Sequence, residues 1–227
     1  LATVLVLVVD SSTPAVTAAL ADITEDGVDL VAQRQTIDAR AHGELLAPQI
    51  DAVLAEAGKR PRDLGALVAG LGPGPFTSLR VGLVTAATMA QALGIPAYGV
   101  CSLDALGLVA GAGRALVATD ARRREVYWAA YSSGEPLTPP AVDAPAAVAA
   151  RAVELSLAYA VGEGAHRYAE ALGLPVRDEP RFPPPDALAR LAAVRVLAGA
   201  PAERLTPLYL RRPDAVAPGA RKAVLSR

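Results

Sequence analysis

Cysteine, histidine and aromatic residues are scarce in this chain. Its 227 residues include one cysteine, two histidines, one tryptophan and two phenylalanines, and the formal net charge is −1. The lone Cys101 excludes an internal disulfide framework and fits a reducing, cytoplasmic setting. With only His42 and His166 available, a histidine-rich metal site is not expected. A net charge this close to zero excludes a global electrostatic footprint for nucleic acid or an acidic membrane. If RNA is a substrate, another subunit is expected to supply most of the contact. No apolar run approaches membrane-spanning length. The opening "LATVLVLVVD" lacks a basic leader and breaks off at Asp10, so it reads as a buried strand.

What is abundant is apolar: 52% of the residues are hydrophobic, enough for a substantial core or two small lobes. Residues 3–9 read as a buried strand, "AVTAAL" as a second and "VDLVAQRQTI" as a third, forming a hairpin meander. A helix is expected from Gly43 to Ala57, with Leu46, Ile50, Val53, Leu54 and Ala57 on one stripe. "GALVAG" is a short strand, "LRVGLVTAATMAQALG" a second helix and "IPAYGV" another strand. The second half repeats the opening: "RALVATDARRREVYWAAY" has an apolar strand ending in Asp120, a polar turn and a second strand, as at Asp10. Asp10 to Val16 and Asp120 to Val126 have the same spacing. A late helix over "PDALARLAAVRVLAG" and an extended tail, "LTPLYLRRPDA", follow. Two lobes that each open with a strand–turn–strand and an acidic residue resemble the duplicated actin-like ATPase architecture, an analogy of fold alone.

The segment "LGPGPFTSLRVG", residues 71–82, looks like a phosphate cradle before a helix. Pro73 and Pro75 have no N–H to donate, and neither the Walker ending nor a third dinucleotide-type glycine is present. It reads as a rigid strand-to-helix turn, with Thr77 or Ser78 as the helix N-cap. Beyond it, Gly82, Ala86 and Ala90 form a smooth strip on a helix with almost no charged face. Two readings stay open: burial against a partner chain, or an ordinary central helix. Among single residues, His42 stands at a helix start and its helical metal-pair position is Leu46. Cys101 reads as a strand-end thiol, and Arg122, Arg123 and Arg124 as a solvated hairpin turn. Ser11 and Ser12 have no identifiable base.

"LVVDSSTPAVTAAL", "HGELLAPQI", "GLGPGPFTSLRVGLVTAATMAQALGIPAYGVCSLDAL", "DARRREVYWA", "VGEGAHRY" and "PLYLRRPDA" occur in this order. Together they closely resemble the TsaB (also called YeaZ) family of bacterial tRNA threonylcarbamoyladenosine (t6A) biosynthesis proteins, from about Leu5 to Ala215. The family's usual Gly-Pro-Gly-Ser-Phe-Thr-Gly-Leu-Arg is altered here, with Pro75 in place of the serine and Ser78 in place of the last glycine. The resemblance implies an α/β, actin-like (ASKHA, RNase H-like) fold of two lobes, residues 1–104 and 105–227, with the last segment packing back on the first.

The resemblance also implies a scaffold with no catalysis, cofactor or metal of its own. It would bind and activate TsaD, the paralogue that transfers threonylcarbamoyl to the adenosine beside the anticodon. TsaD carries a His-x-x-x-His metal pair on its first helix; the matching His42 and Leu46 break that pair. The first two helices are the implied partner surface, through Leu45, Leu46, Gln49, Gly82, Thr85, Ala86, Met89 and Ala90. The implied partners are TsaD, the ATPase TsaE in a larger complex, a second copy when TsaD is absent, and tRNA indirectly. Asp10, Ser11, Gly72, Gly74 and Asp120 would be vestiges of a nucleotide or phosphate site. The competing expectation is an enzyme, either an ATP-dependent phosphotransferase using Asp10 and Asp120 with magnesium, or an M22-type peptidase. "DSSTP" argues against the first, because it lacks a glycine to let the hairpin wrap a phosphate.

Overall fold

Six unbroken apolar residues closed by Asp10 build the first strand, β1 (Val4–Asp10), and everything in the first half is hung on it. The structure is a computed structural model describing residues 3–211. β1 turns into β2 (Ala15–Thr24) and then β3 (Gly27–Ile37), followed by α1 (His42–Glu56), β4 (Ala66–Gly70), α2 (Phe76–Leu93) and β5 (Ala97–Val100). The strands form one sheet in the order β3-β2-β1-β4-β5, with β1 antiparallel to β2 and parallel to β4. The second half runs α3 (Ser102–Val109), β6 (Arg114–Asp120), β7 (Val126–Ser132), β8 (Glu135–Pro136), β9 (Ala141–Asp143), α4 (Pro145–Glu154) and β10 (Tyr159–Val161). It ends with α5 (Glu163–Arg167), α6 (Ala169–Leu172) and α7 (Pro185–Leu197). Its sheet has the order β10-β6-β7-β8, with β9 also on β7. Here β6 has the place of β1, antiparallel to β7 and parallel to β10. The repeat legible in the sequence is thus a repeat of topology.

The two hairpin turns differ by one residue. Asp10 pairs with Thr17, whereas Asp120 pairs with Val126. Equal spacing to a valine therefore does not mark equivalent positions. The reason is local: Arg122, Arg123 and Arg124 have φ of 62°, 52° and 61°, coiling the second turn left-handed and closing it sooner. Each such residue costs about 1–2 kcal/mol relative to the right-handed conformation.

Four apolar clusters fill the layers. α1 and α2 cover one face of the first sheet, through Leu46, Ile50, Val53, Leu79, Leu83 and Ala86. α7 covers the opposite face, placing Ala187, Leu188, Ala192 and Val196 on Val6, Val8 and Ala19. α3 contacts both α7 and the second sheet, and α4–α6 line that sheet's far side. The boundary expected at 104/105 lies within α3.

Three details differ from the sequence reading. α2 starts at Phe76, with Pro75 as N-cap and no side-chain cap bond; Ser78 Oγ instead donates to the Pro75 carbonyl at 3.1 Å. The proline's fixed φ of −59° makes this entry without a capping hydroxyl. α1 begins at His42, one residue early. The tail is extended but forms no regular strand. It is tied by Glu203 N–H to the Ala97 carbonyl and by Leu208 N–H to the Leu71 carbonyl, both at 2.9 Å. The tail's expected residues 212–215 lie outside the described residues.

Candidate functional site

The first hairpin turn, the Gly-Pro loop and the start of α2 are packed against each other. Asp10 is 1% exposed. Its Oδ1 accepts the Ser12 N–H and Oγ–H at 3.0 and 2.8 Å, and its Oδ2 accepts the Ser102 hydroxyl at 2.6 Å. Gly70 lies directly beneath, where an added Cβ would fall 1.8 Å from Asp10 Oδ2. Ser11 Oγ donates to the Ser78 carbonyl at 2.7 Å and accepts the Gly82 N–H at 3.0 Å, pinning the first turn onto α2. Gly72 N–H donates to Ser102 Oγ at 3.2 Å, and an added Cβ at Gly74 would lie 2.3 Å from the Ser12 carbonyl. Asp10, Ser11, Gly72 and Gly74 are thus brought together as one interlocked joint. His42 belongs to it too: its Nε2 lies 2.8 Å from the Thr13 carbonyl, at the start of α1.

Asp120 sits on the other hairpin. It accepts Arg167 Nη1 at 3.1 Å, the Tyr168 hydroxyl at 3.2 Å and the Arg122 N–H at 3.2 Å. Its own N–H donates to Glu163 Oε1 at 2.8 Å, and burial raises the Glu163 carboxyl above its usual range. Cys101 follows β5 as the N-cap residue of α3, where burial pushes its thiol up to about 12, too high for a reactive thiolate.

Burial also raises the Asp10 carboxyl above 3.8, against the lowering effect of its bonds to Ser102 and Ser12 and the nearby His42. A carboxyl raised on folding holds its proton better in the native state. Native stability therefore falls as pH rises from the unfolded value through the folded one, by up to about 1.4 kcal/mol per pH unit, and stays at the lower level above it. Asp10→Asn removes this slope. Urea unfolding across pH 4–8 is expected to show the variant gaining on the wild type as pH rises. A constant difference between the two would contradict a raised carboxyl.

The expected partner residues divide into two groups. Leu46, Gln49, Gly82, Ala86 and Ala90 are buried within this chain. Gly82 is small because Ser11 occupies the space beside it: an added Cβ would lie 2.5 Å from Ser11 Oγ. Gln49 spends its amide nitrogen on Thr36 Oγ1 at 2.8 Å. The small-residue strip thus faces the chain's own interior. Leu45, Thr85 and Met89 remain half-buried. The open face of α2 lies one step round the helix, with Ala87 and Thr88 exposed and Val84 59% exposed.

Sequence reasoning missed a cleft between the Gly-Pro loop and the second hairpin turn. Its volume is about 360 Å³, and Phe76, Arg122, Arg123, Tyr127, Tyr209 and Arg211 line it. Phe76 and Tyr209 stack with ring centroids 5.0 Å apart. Arg211 reaches the Ala121 carbonyl at 3.1 Å and pairs with Glu125, so the tail touches the second hairpin turn as well as Leu71. The signal available was "PLYLRR" itself, two aliphatics, a tyrosine and two arginines in a terminal segment, but nothing local said where it lands.

Known proteins share this architecture. The chain matches, over residues 31–193, the family model described as TsaD, tRNA N6-adenosine threonylcarbamoyltransferase. It is 50% identical to an uncharacterized protein of Mycobacterium tuberculosis over 92% of this chain and 93% of that protein. It is 35% identical to the tRNA threonylcarbamoyladenosine biosynthesis protein TsaB of Escherichia coli, over 57% of this chain and 56% of that protein. A solved structure from Pseudomonas aeruginosa, described as similar to peptidase YeaZ, superposes with a TM-score of 0.74 at 30% identity, covering 92% of this chain and all of that one. With its actin-like, RNase H-like α/β fold and these likenesses in sequence and structure, the chain belongs to the TsaB/YeaZ family.

Proposed function

We propose that this chain is a subunit of the t6A-forming system that binds and activates TsaD without catalysing the transfer itself. The observation that carries this reading is the open face of α2, where Val84 is 59% exposed in mid-helix beside half-buried Val81, Thr85 and Met89. An apolar stripe of this kind on a surface helix suits a helix-to-helix interface. Asp10 and Asp120 support the non-catalytic part, because their carboxylate oxygens are spent on groups of this chain. In this reading TsaE joins the larger assembly, tRNA is engaged chiefly through TsaD, and two copies of this chain pair on the same face when TsaD is absent. The setting would be the cytoplasm; no helix among the described residues is long and apolar enough to cross a membrane.

The test is size-exclusion chromatography with light scattering, on the chain alone and mixed with TsaD of the same organism. A mixed species formed at the expense of a homodimer is expected. Val84→Glu should keep the melting temperature and abolish that species, since a charge buried unpaired in an interface costs about 3–5 kcal/mol, more than a hundredfold in affinity. No mixed species from the unaltered chain, with or without nucleotide and tRNA, would overturn the reading. An unimpaired Val84→Glu would move the interface elsewhere.

A further inference from the structure

The edge of a β-sheet carries unpaired backbone N–H and C=O groups, and folded chains usually cover or shorten it. Among the described residues this chain does so at every sheet edge except β3. Along β5, Glu203 N–H donates to the Ala97 carbonyl at 2.9 Å and Gly99 N–H donates to Glu203 Oε2 at 3.0 Å. Along β10, Ala160 N–H donates to the Pro175 carbonyl at 2.8 Å and Arg177 N–H to the Ala160 carbonyl at 2.9 Å. β8 and β9 are cut short, at two and three residues. β3 is an edge of the first sheet, 11 residues long, with only Ala32 buried and neither proline nor lysine to blunt it.

The register says which of its groups are free. Asp38 N–H donates to the Pro14 carbonyl at 2.9 Å, and Ile37, Gln35 and Gln33 stand opposite Ala15, Thr17 and Ala19. Bonded and unbonded pairs alternate along an antiparallel ladder, so Thr36, Arg34 and Ala32 bond inward to β2. The backbone groups of Gln33, Gln35 and Ile37 therefore point away from the sheet. Arg34 Nη1 takes the Gln33 carbonyl at 2.8 Å. The Gln33 N–H and both backbone groups of Gln35 and Ile37 are left to an outside strand, and the Ile37 side chain is 63% exposed beside them.

This edge opens on a trough of about 730 Å³ whose other wall is Pro180, Phe182 and Pro184. The wall is held in place, with Gly162 N–H on the Pro180 carbonyl at 3.0 Å and Glu163 N–H on the Arg181 carbonyl at 2.9 Å. Its prolines have little backbone freedom to lose when a ligand binds. Gln35 Nε2 reaches Thr17 Oγ1 at 3.1 Å, which puts the side chains of Gln33, Gln35 and Ile37 on the α7 side of the sheet, with Ala19. A strand added here sets every second side chain among Ile37, Phe182 and Pro184. Gln33 to Ile37 spans about 13 Å, the length of about five extended residues. A second copy of this chain fits less well. Two-fold pairing of β3 with itself would bring both proline walls to the same face of the joined sheet, over the same trough.

We propose that the β3 edge takes up an extended segment of a partner protein as a sixth, antiparallel strand, with apolar side chains at alternate positions. The segment's backbone exchanges hydrogen bonds with Gln35 and Ile37, and its apolar side chains fill the trough beside Phe182. The site shares no residue with the open face of α2. Its failure leaves the TsaD reading standing, and a failed TsaD reading leaves it measurable on this chain alone.

The experiment is fluorescence anisotropy of the full chain with a labelled, end-blocked heptapeptide that alternates valine and threonine between terminal lysines. Two further probes carry N-methyl groups on the valines or on the threonines. In antiparallel pairing, the residues whose side chains enter the trough are those whose N–H groups face β3. Saturable binding, lost on methylating the valines and kept on methylating the threonines, is expected. Gln35→Pro removes an outward N–H and no ladder bond, and Phe182→Ala opens the wall. Each should weaken binding about tenfold or more at an unchanged melting temperature. If either variant is less stable, Ile37→Lys replaces it. No binding up to millimolar peptide, equal loss from both methylated probes, or binding untouched by the variants overturns the proposal. So does light scattering that finds the chain alone to be a dimer broken by Gln35→Pro, which gives the edge to a second copy. Tighter binding by a peptide of residues 212–227 overturns it too, giving the edge to this chain's own sequence.

Discussion

Ala86→Glu is expected to destroy the fold rather than an interface. Ala86 is fully buried, 0% exposed, with Leu79, Leu83 and Ala90 in the cluster between α2 and the first sheet. A glutamate there brings an unpaired charge and four extra heavy atoms into a closed space. An uncompensated buried charge costs about 3–5 kcal/mol and overpacking about 1–3 kcal/mol more. A domain of this size has about 5–15 kcal/mol in all. Thermal unfolding followed by circular dichroism should show a melting temperature lower by about 10 °C or more, or no soluble protein at all. Val84, two positions away, is the exposed counterpart, and glutamate there should leave the melting curve alone. An Ala86→Glu chain with a normal melting curve but no partner binding would return the small-residue strip to the interface.

Gly74→Ala should be a strongly damaging single-methyl change in the joint between the hairpin and the Gly-Pro loop. The new Cβ would lie 2.3, 2.8 and 2.9 Å from the carbonyl oxygen, Cα and carbonyl carbon of Ser12. All three are backbone atoms, and Ser12 is itself held by two bonds to Asp10. No flexible side-chain end can give way, so the loop and the turn must separate. That strain is expected to cost about 3 kcal/mol, the upper part of the overpacking range. Gly43→Ala is the control: its Cβ meets nothing within 4 Å, and a change of under about 0.5 kcal/mol is expected. Equal stability of the two variants in urea unfolding would show that the joint is not packed as described.

Much of the frame was legible in the sequence because its signals are local. The apolar run of β1, the period of α1 and the punctuating Asp, Gly and Pro residues dictate the order three strands, helix, strand, helix, strand, and the structure has it. The repeat of the opening hairpin could be read from "LVLVVD" and "LVATD" for the same reason. The interior stripe Leu46, Ile50, Val53 and Leu54 follows from the helical period alone.

The direction in which a small-residue strip faces was not legible. Gly82, Ala86 and Ala90 permit close approach, but periodicity is silent on whether a partner helix or the chain's own Ser11 makes that approach. Nor could the sequence place the cleft, because its walls come from α2, the second hairpin turn and a tail more than eighty residues further on. The chain by itself determined the order of elements in its first half, its duplicated plan and its family, since each depends on neighbours in sequence. Tertiary structure alone decided that Asp10 is sealed under Ser12 and Ser102, that Ser11 claims the face of Gly82, and that arginines and aromatics from distant segments share one cavity. Those outcomes depend on which surfaces compete for the same space, and that is settled only when the sheets and helices pack.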